Sequence, residues 1–172
     1  MILKPQDVLL VLKLAALGGK PWTQVQLASE LGFSQGEVSS GLKRALAARL
    51  LIQETEGPRP AGVMLIEFVL HGVPCVFVPD RGALTRGMPT AEAAPVFKDL
   101  LAPTDQPPPV WPDPEGTVRG EAFSPLYRSA PWAARQDAEL YDLLALVDGL
   151  RGGRARVRSF ASRELRKRLE RP

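Results

Sequence analysis

Within ten positions the chain carries Gln35, Ser39, Ser40, Lys43 and Arg44, polar side chains that donate or accept hydrogen bonds and, in the last two, carry positive charge. The carboxamide of Gln35 can pair two-pronged with adenine N6 and N7. Ser39 and Ser40 are short and reach either base edges or phosphate. Lys43 and Arg44 suit phosphates, which fix register without reading sequence. Gly36 permits close backbone approach. Thr23 and Gln24, upstream, would add phosphate contacts through free backbone N–H groups at a helix start. Glu37 is the awkward member, because phosphate repels a carboxylate that does not accept from cytosine N4. Its better role is as capping partner of Ser34.

The elements that must position these groups are legible in the spacing. Thr23 is a helix cap, and Gln26, three residues on, completes a capping box. Leu27 and Leu31 lie one turn apart, with Ala28 small enough for close helix approach. Gly32 follows the last apolar residue, where a left-handed backbone ends a helix at least steric cost. Ser34 with Glu37 caps a second helix running to about Leu50, with Leu42, Leu46 and Leu50 along one stripe and Val38 packing back onto the first. An earlier helix starts near Pro5 and buries Val8, Leu9, Val11, Leu12, Ala15 and Ala16.

The stretch from Trp22 to Val38 resembles the helix-turn-helix of bacterial transcription regulators, especially the winged-helix kind found in MarR-like proteins. The resemblance spans about a third of the chain, and Gly41 departs from it by standing where the motif usually has a branched apolar residue. It implies that the helix from Ser34 enters the major groove, that Ser34, Gln35, Gly36, Ser39, Ser40 and Lys43 face the DNA, and that terminal helices make a dimer. Residues 81–95 and 119–151 also resemble stretches of small bacterial helix-turn-helix proteins of uncharacterised function.

Beyond Gln53 the chain turns polar and proline-rich up to Pro60. The run Ala61–Gly72 reads as a buried helix opened by Pro60 and closed by Gly72. A wing is expected as a hairpin of Pro74–Val78 with Ala83–Thr85 across the Asp80-Arg81-Gly82 turn, which would put Arg81 at its tip against DNA. The competing wing pairs Leu51–Glu54 with Met64–Phe68. A short helix is expected over Pro95–Leu101. Residues 102–116 hold six prolines and Trp111, so extended backbone is expected there. Thr117–Phe123 alternates as a strand does. Two helices follow, one from Gln136 or Asp137 to Leu150 and one over Arg154–Leu169. The resulting fold class is mainly α with small β elements, a winged helix-turn-helix followed by an α+β C-terminal region ending in two helices. Three parts are expected: a DNA-binding domain over 1–86, a proline-rich connecting region over 87–136, and C-terminal helices over 137–172.

Net charge is only +3, yet residues 1–56 carry +1, residues 57–150 carry −5 and residues 151–172 carry +7. The basic tail therefore meets phosphate, an acidic partner or the acidic middle. Its apolar stripe of Val157, Phe160, Leu165 and Leu169 suits a dimer seam. The one cysteine, Cys75, excludes an internal disulfide and sits among apolar neighbours, as a buried, inert thiol would. No signal-peptide layout or membrane-length apolar run is present, so a cytoplasmic protein is expected. Against an enzyme stand a single histidine, His71, placed in an apolar run as a structural residue, and no phosphate loop. No metal site and no cofactor are expected.

The sequence thus points to a sequence-specific, dimeric regulator that binds double-stranded DNA as a repressor. The alternative is a protein–protein module, antitoxin-like, in which Trp111 and Trp132 grip a partner.

Overall fold

Pro5 sets the backbone angle of the first helical turn, and Asp7 accepts a hydrogen bond from the Lys4 N–H (2.8 Å). In the computed structural model, which describes residues 1–170, this start launches α1 (Pro5–Leu17). Val8, Leu9, Leu10, Val11 and Leu12 are all 0 % exposed. A helix apolar on every side belongs in the middle of a core, and α1 is packed by α3 (Gln35–Ala47) and α7 (Ala138–Gly152), while α2 (Gln24–Leu31) reaches it through the Glu30–Lys13 pair.

A hairpin of β1 (Leu51–Glu54) and β2 (Gly57–Pro60) follows α3, with Leu51 opposite Pro60 and Glu54 opposite Gly57. Neither expected hairpin forms: Leu51–Glu54 is a strand, as the competing reading has it, but its partner is Gly57–Pro60, and Met64–Phe68 is helical. Pro58 and Pro60 look like breakers, but an isolated two-stranded hairpin is all edge and accommodates residues that cannot donate. Residues 74–78 form no strand. Residues 74–76 end a helical run of α4 (Gly62–Glu67), a π-turn at Phe68–Gly72 and α5 (Val73–Val76), and Phe77 and Val78 leave it without pairing, so Gly72 interrupts the helix without ending it. The Phe68 ring occupies the space a side chain at residue 72 would need.

Residues 81–85 are a strand, but they pair elsewhere. β3 (Arg81–Pro89) runs antiparallel to β4 (Pro109–Pro112) and to β5 (Val118–Phe123), and β4 is parallel to β5, closing a three-stranded barrel. So small a barrel brings backbones into direct contact. A Cβ on Gly87 or Gly120 would overlap the carbonyl oxygen of Trp111 or Pro108. The expected helix over Pro95–Leu101 is a single 3₁₀ turn at Pro95–Phe97. The proline-rich stretch is extended where it forms β4, as anticipated, yet Trp111 within it is 1 % exposed.

α7 and α8 (Ala155–Leu169) appear as expected, and α6 (Ala130–Gln136) precedes them as a further helix at the end of the stretch expected to be a connection. Val157, Ala161, Leu165 and Leu169 are buried, and α8 packs on α7 and α4 of its own chain. The stripe read as a dimer seam is therefore covered from within, with Phe160 tilted against Phe97 at 5.2 Å. The fold is mixed and mainly helical with two small sheets. One apolar core takes in Leu9, Leu31, Trp111, Leu144 and Leu165 alike, and β3 crosses the boundary expected at residue 86. Among the described residues no helix is long and apolar enough to cross a membrane.

Two buried polar clusters tie these layers. Asp148 accepts from Thr90 Oγ1 (2.6 Å), Trp111 Nε1 (2.7 Å) and Arg151 (2.6 Å), and Arg151 also donates to the carbonyls of Phe77 (2.7 Å) and Ser124 (3.3 Å). Burial pushes the Asp148 carboxyl up, against the pull of the Arg151 charge and of its three donors. Lys13, 4 % exposed at its side chain, lies between Glu30 (2.6 Å) and Asp137 (2.7 Å), which itself caps α7 through the Leu140 N–H. Burial works to lower the Lys13 ammonium, but the two carboxylates outweigh it and raise it. Asp137 is pushed up by burial and pulled further down by Lys13 and the Leu140 N–H; Glu30 is lowered by Lys13 and Gln26.

Asp148→Ala leaves the Arg151 guanidinium buried without its counter-charge and is expected to cost about 3–5 kcal/mol in urea unfolding. Adding Arg151→Met should recover part of that loss. The Lys13 cluster fixes a pH profile. Depressed carboxyls stabilise above their unfolded values of about 4 and lose that contribution as pH falls through the folded values, while a raised lysine stabilises below about pH 10.4 and loses it above. Unfolding free energy should therefore form a plateau that drops at both ends, and Lys13→Met should flatten both limbs.

Candidate nucleic-acid interface

The turn between α2 and α3 is built as its residue types dictate. Thr23 Oγ1 accepts from the Gln26 N–H (3.1 Å), and Gly32 closes α2 in the left-handed region at φ 67°. Ser34 and Glu37 form a reciprocal cap: Ser34 Oγ accepts from the Glu37 N–H (3.1 Å) and Glu37 Oε2 from the Ser34 N–H (2.7 Å). The Ser34 backbone N–H, then its hydroxyl, holds the Glu37 carboxyl below its ordinary range. Glu37 is thus a capping residue.

Val38, Leu42 and Ala45 turn inward from α3. The opposite side is polar, with Ser34, Gln35, Gly36, Ser40 and Lys43 exposed and Ser39 half-buried. At 3.6 residues per turn Gln35, Gly36, Ser39, Ser40 and Lys43 share one face. Thr23 and Gln24 are exposed at the start of α2, the Thr23 hydroxyl already engaged as a cap.

Arg44 is used differently from its expected role at phosphate. Its Nε and second guanidinium nitrogen donate to both oxygens of Asp7 at 2.7 Å each, and Asp7 is 0 % exposed. The pair clamps the back of α3 to α1. Gly41 explains itself by the same contact, since a Cβ there would stand 2.9 Å from Leu10 Cδ2 and 3.1 Å from Asp7 Oδ1. The residue that departs from the motif is the one that lets α3 sit this close to α1.

Arg81 belongs to the barrel and not to the hairpin after α3. It donates to the Gly152 carbonyl (2.9 Å), lies over the Phe123 ring (5.1 Å) and stands 3.7 Å from Glu121. The true hairpin is not cationic: Arg59 is paired with Glu54, and Glu56 lies in its turn.

The structure adds residues that sequence reasoning missed. Tyr127 donates to Glu37 Oε1 (3.3 Å) and meets Phe33 edge-on at 5.5 Å, and exposed Arg128 lies 5.2 Å over the Tyr127 ring. Trp132, half-exposed on α6, packs over Gly32. No local pattern announces contacts spanning some 90 residues of chain, as Tyr127 to Glu37 does. His71 and Cys75 both turn outward, contrary to the structural role and the buried place expected of them, because Leu65, Ile66, Val69, Leu70 and Val73 form the inward face of this run and leave both residues on the other side. Among the described residues no three His, Cys, Asp or Glu side chains converge on a metal site.

No family model, no curated protein and no solved structure matches the chain.

Gly41→Val would force a branched side chain against Leu10 and Asp7. Overpacking of this kind costs about 1–3 kcal/mol, so its thermal midpoint should fall while a Ser40→Ala control, exposed on the same helix, stays within about 0.5 kcal/mol of the parent.

Proposed function

We propose that the protein is a sequence-specific DNA-binding regulator of the winged helix-turn-helix type, with α3 in the major groove and the β1–β2 hairpin as its wing. The observation that carries this reading is the contrast between the two sides of α3. Its back is fixed by Asp7–Arg44, Gly41 and the Tyr127–Glu37 contact, while Gln35, Gly36, Ser40 and Lys43 stay free. Rigid placement of a polar face is what base readout requires. Gln35 is the base reader, Lys43 the phosphate contact, and Ser39 and Ser40 the adaptable members. With Arg44 committed to Asp7, Lys43 is left as the cation on this face, so one copy holds DNA weakly. Two copies on two half-sites, acting as a repressor in the cytoplasm, complete the proposal.

The rival reading, a protein-binding module on the same scaffold, loses Trp111 to the core and keeps only Trp132 as an aromatic anchor.

Fluorescence anisotropy on the gene's own upstream duplex and on a scrambled duplex, across a salt series, tests the proposal. Preference for the upstream duplex should persist as salt rises. Gln35→Ala should reduce that preference by about 1–3 kcal/mol, whereas Lys43→Ala should weaken both duplexes alike. Equal binding of the two duplexes at every salt concentration would overturn specific readout.

A further inference from the structure

The strongest positive face of the molecule is not on α3. Of the basic residues in the C-terminal segment, Arg151 is engaged by Asp148, Arg168 by Glu139, Asp142 and Glu164, and Arg166 approaches Glu67 at 3.9 Å. Through these pairs the basic tail meets the acidic middle. Arg154, Arg156, Arg158, Arg163 and Lys167 are exposed and make no ion pair among the described residues, while Arg171 lies outside them. Arg156, Arg163 and Lys167 share one side of α8, and the carboxylate of Glu164 is held by Arg168, away from it. That side spans about 16 Å from Arg156 to Lys167 at 1.5 Å per residue.

A shallow cavity of about 500 Å³ flanks this row, between α8 and the helical run Leu70–Pro74. Its polar lining is Arg158, Arg163, Ser159, Ser162 and His71, with no carboxylate in the wall, although the Glu67 carboxylate stands 3.6 Å from His71 Nε2 just beyond it and is shared with Arg166. Two guanidinium groups, two hydroxyls and an imidazole over an apolar floor are donors suited to a phosphate oxygen.

We propose that the outward face of α8 binds the phosphodiester backbone of duplex DNA without regard to sequence, seating one phosphate in the His71–Arg158–Arg163 cavity. The proposal rests on the reading of the protein as a DNA binder and extends it to a second surface. Charge complementarity selects the occupant: one strand presents a phosphate about every 3.4 Å of axis, so the row faces about five of them. The surface is separate from that of α3, since α3 packs on α1, α1 on α7 and α7 on α8. Affinity and readout thereby fall to different helices.

The test uses the full chain and a 20-base-pair duplex of unrelated sequence, with anisotropy read from low to moderate salt. Arg156→Ala, Arg163→Ala and Lys167→Ala combined change exposed side chains only, and a matched thermal midpoint checks the fold. The combined variant should bind this duplex at least tenfold more weakly at low salt, with a salt slope shallower by about 0.9 for each phosphate that is no longer neutralised. Gln35→Ala with Lys43→Ala should keep most of the sequence-independent binding. If the α8 variant matches the parent in affinity and slope, the proposal is overturned, whatever α3 does. If the parent shows no preference for its upstream duplex while the α8 variant still loses the salt-sensitive binding, the α3 reading fails and this one stands. Absence of duplex binding by the parent at low salt overturns both and leaves an acidic protein as the ligand of the row.

Discussion

A carboxylate removed from water needs donors in place of its hydration shell, and three of them meet at Asp148. Its donors come from the end of β3, from β4 and from one turn further along α7. Arg151 extends the cluster to the chain after α5 and after β5. Segments with little regular structure of their own are thus fixed by directed bonds, whereas apolar packing alone would leave their register loose. The barrel is too small to hold a core, and its strands are too short to be stable unaided. Its position on α7 follows from the Asp148 cluster.

Charges buried on α1 do the same for the N-terminal half. Asp7 and Lys13 sit on a helix otherwise apolar all round, and each is matched by a partner from a different element: Arg44 of α3, Glu30 of α2, Asp137 at the start of α7. Apolar side chains would allow these helices to slide or rotate. An ion pair with defined geometry does not, so the burial of two charges is better understood as specification than as stabilisation. The position of the α3 surface is one outcome.

Local signals are legible in the sequence wherever chemistry within four residues decides the structure. The Thr23 cap, the Ser34–Glu37 box, the Gly32 terminator, α7, α8 and β5 all follow from such spacing. What escapes depends on partners distant in the chain. The strand at Arg81 is recognisable, but its partner is β5, which periodicity cannot name. Pro58 and Pro60 conceal β2, because proline reads as a breaker even where an edge tolerates it. Trp111 lies in a proline-rich stretch whose extended backbone carries no sign of burial, and only Asp148 and the α7 surface show that it is core. Arg44 cannot be separated from Lys43 by type or spacing; Asp7, on another helix, separates them. The candidate site is therefore visible in its residues, with Arg44 and Arg81 as the exceptions, and its neighbours Tyr127 and Arg128 are not.

The bond from Lys13 to Asp137 joins residues 124 apart in the chain. During synthesis at about 5–20 residues per second, α1 emerges roughly 6–25 s before Asp137, the second of the two carboxylates that neutralise its buried ammonium. Tyr127, which braces Glu37 at the head of α3, is equally late. A nascent chain therefore carries the polar face of α3, with its Asp7–Arg44 clamp, well before the Tyr127 brace. An arrested or truncated product ending before Tyr127 would own that face and that clamp, yet lack the contact that holds Glu37 and the second carboxylate beside Lys13.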